Sequence, residues 1–159
     1  MKTIASFTVN HLTLRTGLYV SRVDRVGAET VTTFDLRMTR PNEEPVMDTA
    51  AAHAIEHLGA TFLRNDPEWG SRVVYFGPMG CRTGFYMILA GELSSGDVID
   101  PVKRMMQFIA DYEGEIPGAA AEQCGNYLDL NLSMAKYHAR KYLREVFETP
   151  DEARFVYPE

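Results

Sequence analysis

Between Val31 and Met38 the side chains alternate, with Phe34, Leu36 and Met38 on one face and Thr33, Asp35 and Arg37 on the other. A period of two marks a strand with one buried face, and the first forty residues read throughout as extended structure. Arg40-Pro41-Asn42 and Pro45 end that run. From Asp48 to about Arg64 the period lengthens, and Ala51, Ile55, Leu58 and Phe62 form an apolar stripe at helical spacing, with Asp48 or Thr49 as N-cap. His53, Glu56, His57, Ala60 and Arg64 fall on the opposite face of that helix. The segment Arg72 to Leu93 reads as two strands, Val73–Phe76 and Thr83–Leu89, with Gly77-Pro78 as the turn signal between them. Ser95 is placed to cap a second helix with Pro101 near its first turn and Gly114 past its end, and its stripe is Val98, Val102, Met105, Ile109 and Tyr112. A last helix is expected from about Ser133 to Phe147, with Ala135, Ala139, Tyr142 and Val146 on one side. His138 on that helix reads as structural or exposed, and Pro67 and Trp69 as loop residues without chemistry.

Strands in runs, with helices between and after them, predict an α+β fold: an antiparallel sheet with helices on one face, rather than a parallel Rossmann sheet. The length of 159 residues suits a single domain over 1–159, with no internal repeat or linker. Hydrophobic residues make up 45% and charged residues 24%, the balance of an ordinary folded protein. No apolar run approaches the roughly 20 residues of a membrane helix. The start, MKTIASFTVNHLTL, lacks the apolar stretch of a secretory signal, so a cytoplasmic protein is expected. A net charge of −6 argues against broad binding to nucleic acid by charge alone.

The chemistry concentrates in His53-Ala54-Ile55-Glu56-His57. Histidines four apart project from one helix face about 6 Å apart along the axis, so both imidazoles reach one divalent ion. Their separation from the apolar stripe favours this over a pair of core histidines. A catalytic site of this type needs a third protein ligand and an open position, and Cys124 is a plausible third donor. Glu56, beside the pair, is suited to move protons to and from a bound substrate. With two cysteines and no disulfide pattern, Cys81 and Cys124 read as free, metal-bound or catalytic. H-x-x-E-H is also a peptidase signature, so a small metallopeptidase is an alternative, as is a non-enzymatic metal-binding homologue.

Several segments together resemble the S-ribosylhomocysteine lyase family, the autoinducer-2 synthases of bacterial quorum sensing. They are Ser6-Phe7 with Asn10-His11, Phe34-Asp35-Leu36-Arg37 with Pro41-Asn42, His53 to Leu58 running on to Arg64-Asn65, Pro78-Met79-Gly80-Cys81-Arg82-Thr83-Gly84-Phe85-Tyr86, and Gln123-Cys124-Gly125-Asn126-Tyr127. The resemblance spans most of the chain in order and spacing. It implies a homodimer acting on a small molecule, with one divalent metal per subunit held by His53, His57 and Cys124, natively iron(II) and often zinc or cobalt. It implies Glu56 and Cys81 as the acid/base pair, and Ser6, His11, Arg37 and Arg64 as substrate-binding residues in a pocket shared between subunits. The implied reaction converts S-ribosyl-L-homocysteine to L-homocysteine and 4,5-dihydroxy-2,3-pentanedione by two carbonyl migrations and a β-elimination, which serves both signalling and the methyl cycle. Four positions depart from the pattern: Tyr75 where aspartate is common, Thr39 for cysteine, Asn10 for aspartate and Leu130 for histidine. None is a predicted metal ligand or a member of the acid/base pair.

Overall fold

A two-residue hairpin starts the sheet. Strand β1 (Gly17–Val26) turns at Gly27-Ala28 into β2 (Glu29–Arg37), with Val26 facing Glu29. Gly27 has φ of 65°, the left-handed conformation that such a tight reversal requires of its first turn residue. Strands β3 (Val73–Pro78) and β4 (Gly84–Ala90) complete one antiparallel sheet in the order β1-β2-β4-β3. Helices α1 (Thr49–Asn65), α2 (Ile99–Asp111) and α3 (Leu132–Tyr142) follow, α3 running on through a π-helical turn at Leu143–Phe147. This computed structural model describes residues 3–149 and 151–158; residues 1, 2, 150 and 159 of the expected domain lie outside them. The architecture is the α+β antiparallel arrangement that the pattern predicts. Among the described residues no helix is long and apolar enough to cross a membrane.

Register explains the core. Leu18 faces Leu36 across β1 and β2, Phe34 faces Met87 and Leu36 faces Phe85 across β2 and β4, and all are buried in the core with the helices. Helix α1 is capped by Asp48, whose carboxylate accepts from the Ala51 amide at 2.8 Å, worth about 1 kcal/mol. It buries Ala51, Ala54, Ile55, Leu58, Gly59 and Leu63, and each large aliphatic side chain contributes roughly 1.5–3 kcal/mol. At Gly59 a Cβ would run into the Phe76 ring, so a glycine there lets α1 lie close against β3. That contact fixes the height at which the face carrying His53, Glu56 and His57 stands.

Several expectations need correction. Residues 3–16 are not a strand: a 3-10 turn spans Ala5–Phe7, and Asn10 then folds the chain by accepting from the Leu12 amide at 3.1 Å. Gly77 and Pro78 are not the turn; they pair with Tyr86 and Phe85, and the reversal comes at Met79 to Thr83, where Arg82 has φ of 59°. Pro78 is tolerated because β3 is an edge strand. Ser95 does not cap α2: its hydroxyl donates to the Phe155 carbonyl at 3.1 Å, and the chain enters the helix through a 3-10 turn at Gly96–Val98. His138, read as structural or exposed, is buried, in line with the structural reading. The polar face of β2 is also buried, Thr33, Asp35 and Arg37 being no more than 4% exposed. The C-terminal segment lies over this second sheet face, where Tyr157 stacks on Tyr19 at 4.8 Å and Arg154 donates to the Thr16 carbonyl at 2.9 Å.

Candidate metal centre and thiol cavity

On α1 the rings of His53 and His57 meet edge to face, with centroids 4.6 Å apart. The Nδ1–H of His53 donates to the Asp129 carbonyl at 2.9 Å, and the Nδ1–H of His57 donates to the Pro117 carbonyl at 2.8 Å. A carbonyl accepts only, so each bond places the proton on Nδ1 and leaves Nε2 with a free lone pair. Cys124 arrives from the turn between α2 and α3, its Sγ 3.4 Å from His53 Nε2 and accepting from the Asn126 amide at 3.4 Å. That turn is tied back to α1 by the Asn131 amide, which donates to the Ala50 carbonyl at 3.0 Å. The donor atoms of His53, His57 and Cys124 all lie within 4.8 Å of one another. Metal–nitrogen and metal–sulfur bonds of about 2.0–2.3 Å put tetrahedral ligands roughly 3.3–3.8 Å apart, so the trio fits one transition-metal ion with little movement. Two nitrogens and a thiolate would leave a fourth position open on such an ion. Gly118, with φ of 78°, passes so close that a Cβ there would stand 3.0 Å from His57 Nδ1. Glu56 shares this helix face and is half-buried.

A second group of predicted residues lines a cavity of about 390 Å³: Ser6, His11, Arg37 and Cys81, joined by Asp35, Tyr75, Tyr86 and Tyr157. Cys81 sits in the tight β3–β4 turn, its Sγ 3.1 Å from the Thr83 hydroxyl and 4.0 Å from Arg37 Nη1. Burial pushes its thiol pKa up, but the hydrogen bonds from Thr83 and the charge of Arg37 outweigh that and hold it below the ordinary thiol value. Arg37 donates to the Thr83 hydroxyl at 2.6 Å and to Asp35 Oδ2 at 2.5 Å, and Tyr157 donates to the same carboxylate oxygen at 2.8 Å. Burial pushes the Asp35 pKa up, opposed first by the Arg37 charge and then by these hydrogen bonds.

The structure therefore gathers the predicted residues into two groups within one chain, and the lining of the cavity contains no member of the His53, His57 and Cys124 trio. Arg64 belongs to neither group; its guanidinium donates to the Val73 and Val74 carbonyls, both at 3.2 Å. Sequence reasoning missed the outer partners. The Pro117 and Asp129 carbonyls are backbone groups and leave no mark in the residue types. Asp35 had a signal, since it stands two residues from Arg37 on one strand face, whereas Tyr157 had none. Tyr75, one of the departures noted above, turns its phenol over Gly77 at the cavity rim.

Residues 4–153 match the S-ribosylhomocysteinase (LuxS) family. The chain is 59% identical to the S-ribosylhomocysteine lyase of Clostridium acetobutylicum over 159 residues, the whole of both chains. It is 58% identical to that of Finegoldia magna, again over the whole of both chains. It is 53% identical to that of Phocaeicola vulgatus over 158 residues, 99% of this chain and 98% of the relative.

Proposed function

Since this chain belongs to the S-ribosylhomocysteinase family of carbon–sulfur lyases, we propose that it cleaves the thioether of S-ribosyl-L-homocysteine to L-homocysteine and 4,5-dihydroxy-2,3-pentanedione. One observation carries the reading: two imidazoles with their tautomers fixed by carbonyls converge with a thiol on one point, in a chain that matches the family from residue 4 to residue 153.

The carbon beside the leaving sulfur carries no acidic proton, so the sugar carbonyl has to migrate in two steps before homocysteine can leave by β-elimination. A divalent ion held by His53, His57 and Cys124, iron(II) in our reading with zinc(II) and cobalt(II) compatible with the same donors, supplies Lewis acidity toward the substrate oxygens. Each migration removes a proton from one carbon and returns it to the next. Cys81 is the base for this, because Thr83 and Arg37 hold its thiol pKa below the ordinary value. Glu56 moves protons between the substrate oxygens and assists the elimination. Arg37, Ser6 and His11 orient the sugar within the cavity, and Arg64 is assigned to the amino-acid end of the substrate.

The working unit in this reading is a homodimer. The thiol cavity and the metal trio do not share lining residues within one chain, and a second copy brings one against the other. The residues beside the cavity leave apolar surface to cover: Phe7 is 73% exposed, Leu12 78% and Val74 51%. The enzyme is placed in the cytoplasm, where free thiols such as Cys81 and Cys124 stay reduced, and its product serves autoinducer synthesis and the methyl cycle.

The test is release of free thiol from S-ribosyl-L-homocysteine by the purified protein, followed with a colorimetric reagent. Steady homocysteine release by the wild type, and none by a Cys81→Ala variant that keeps its metal, is the expected result. A wild type that holds metal but releases no thiol would sink the proposal, and full turnover by the variant would remove Cys81 from it.

A further inference from the structure

The C-terminal segment reaches the thiol cavity through one side chain. The Tyr157 ring stacks on Tyr19 and its hydroxyl donates to Asp35 Oδ2 at 2.8 Å. Asp35 Oδ2 also accepts from Arg37 Nη2, while Asp35 Oδ1 and Arg37 Nε are both buried and have no hydrogen-bond partner among the described residues. This is an unusual way to pair a buried arginine with a carboxylate. The favoured arrangement is a two-point fork, in which both oxygens would take Nε and Nη2, and it would satisfy the two atoms left over. The Tyr157 hydroxyl and Arg37 Nη2 instead share the single oxygen Oδ2. Kept in the one-point arrangement, the guanidinium extends its other end, Nη1, to the Thr83 hydroxyl at 2.6 Å and toward Cys81 Sγ at 4.0 Å.

We propose that Tyr157 is a positioning residue for Cys81, acting through Asp35 to hold Arg37 in the one-point pairing that turns its guanidinium toward the thiol. The inference deepens the reading of Cys81 as the base and rests on it for its consequence in catalysis, but not for its geometry. The groups around the thiol are Arg37 and Asp35 on β2, Tyr86 on β4, Tyr75 on β3, His11 in the amino-terminal segment, Arg82 in the turn and Tyr157 itself. Arg37 is the cation nearest the thiol that is fixed by buried partners. Loss of the Tyr157 hydroxyl lets the carboxylate rotate into the fork, draws Nη1 off Cys81, and raises the pH at which the thiolate forms.

The experiment uses full-length, metal-loaded protein. Alkylation of Cys81 by iodoacetamide is followed across pH by mass spectrometry of the peptide that contains it, because only the thiolate reacts. Tyr157→Phe keeps the stack on Tyr19 and removes only the hydroxyl. The expected result is a midpoint about 0.5 pH unit higher, so that alkylation near pH 7 slows roughly threefold, with melting temperature and metal content close to wild type. Tyr19→Phe, which removes a neighbouring hydroxyl that donates to the Arg15 carbonyl, should leave the midpoint in place. An unchanged or lowered midpoint in Tyr157→Phe, or an equal rise in Tyr19→Phe, would overturn the proposal. Alkylation needs no turnover, so a shifted midpoint in a protein that releases no homocysteine would sink the functional reading and leave this one standing. A lyase with an unshifted midpoint would do the reverse.

Discussion

Gly118 combines a left-handed backbone with close contact to His57 of the proposed metal trio, so Gly118→Ala probes both. At φ of 78° an alanine costs about 1–2 kcal/mol in the left-handed region. For a chain of this size that is a fall in melting temperature of roughly 2–8 °C. The added Cβ would also stand 3.0 Å from His57 Nδ1 and 3.2 Å from its Cε1, tighter than ordinary contact. The ring has to give by a few tenths of an ångström, and the bond it loosens is the 2.8 Å one to the Pro117 carbonyl. Disturbing such an outer partner lowers metal affinity by about 10–100-fold. Gly27→Ala is the control, because φ there is 65° and a Cβ would meet nothing within 4 Å. Competition with a chelating dye gives the affinity, and calorimetry on metal-free protein gives the stability. Both variants should melt lower, but only Gly118→Ala should bind metal more weakly. Equal affinities for Gly118→Ala and wild type would refute the claim that the Pro117 carbonyl orients His57.

Thr83→Val removes the hydroxyl that bonds Cys81 and accepts from Arg37. The folded thiol lies below its ordinary value, so activity should rise with pH through that lowered pKa; the substitution should move this acid limb of kcat/KM upward and cut the rate near neutrality several-fold, and an unmoved limb would detach Thr83 from the thiolate. Glu56→Gln should bind metal as the wild type does and fail to release homocysteine, as read by metal analysis beside the thiol assay; loss of metal would instead make Glu56 a ligand.

The sequence disclosed what depends on side-chain period and residue type. The stripe Ala51, Ile55 and Leu58 set the orientation of α1, and that left His53, Glu56 and His57 together on the other face. The Asp48 cap was legible for the same reason, since capping is local chemistry. Features that depend on distant backbone were not. The alternation in β2 put Asp35 and Arg37 together on a polar face but did not disclose their burial, which comes from a segment more than a hundred residues later that lies across them. Gly77-Pro78 has the composition of a turn, but the edge position of β3 lets both residues remain in the strand. The carbonyls that orient the histidines come from loops whose course no periodicity describes. Seven of the predicted site residues fall into the trio or the thiol cavity and Glu56 adjoins the trio, whereas Arg64 stands on the Val73 and Val74 carbonyls, apart from both.

The central claim is that His53, His57 and Cys124 hold one catalytic ion. Elemental analysis of protein purified without chelators, wild type beside Cys124→Ala, tests it most directly. About one transition-metal ion per chain in the wild type and an empty variant is the predicted result. A wild type without transition metal, or a variant that remains fully loaded, would contradict it.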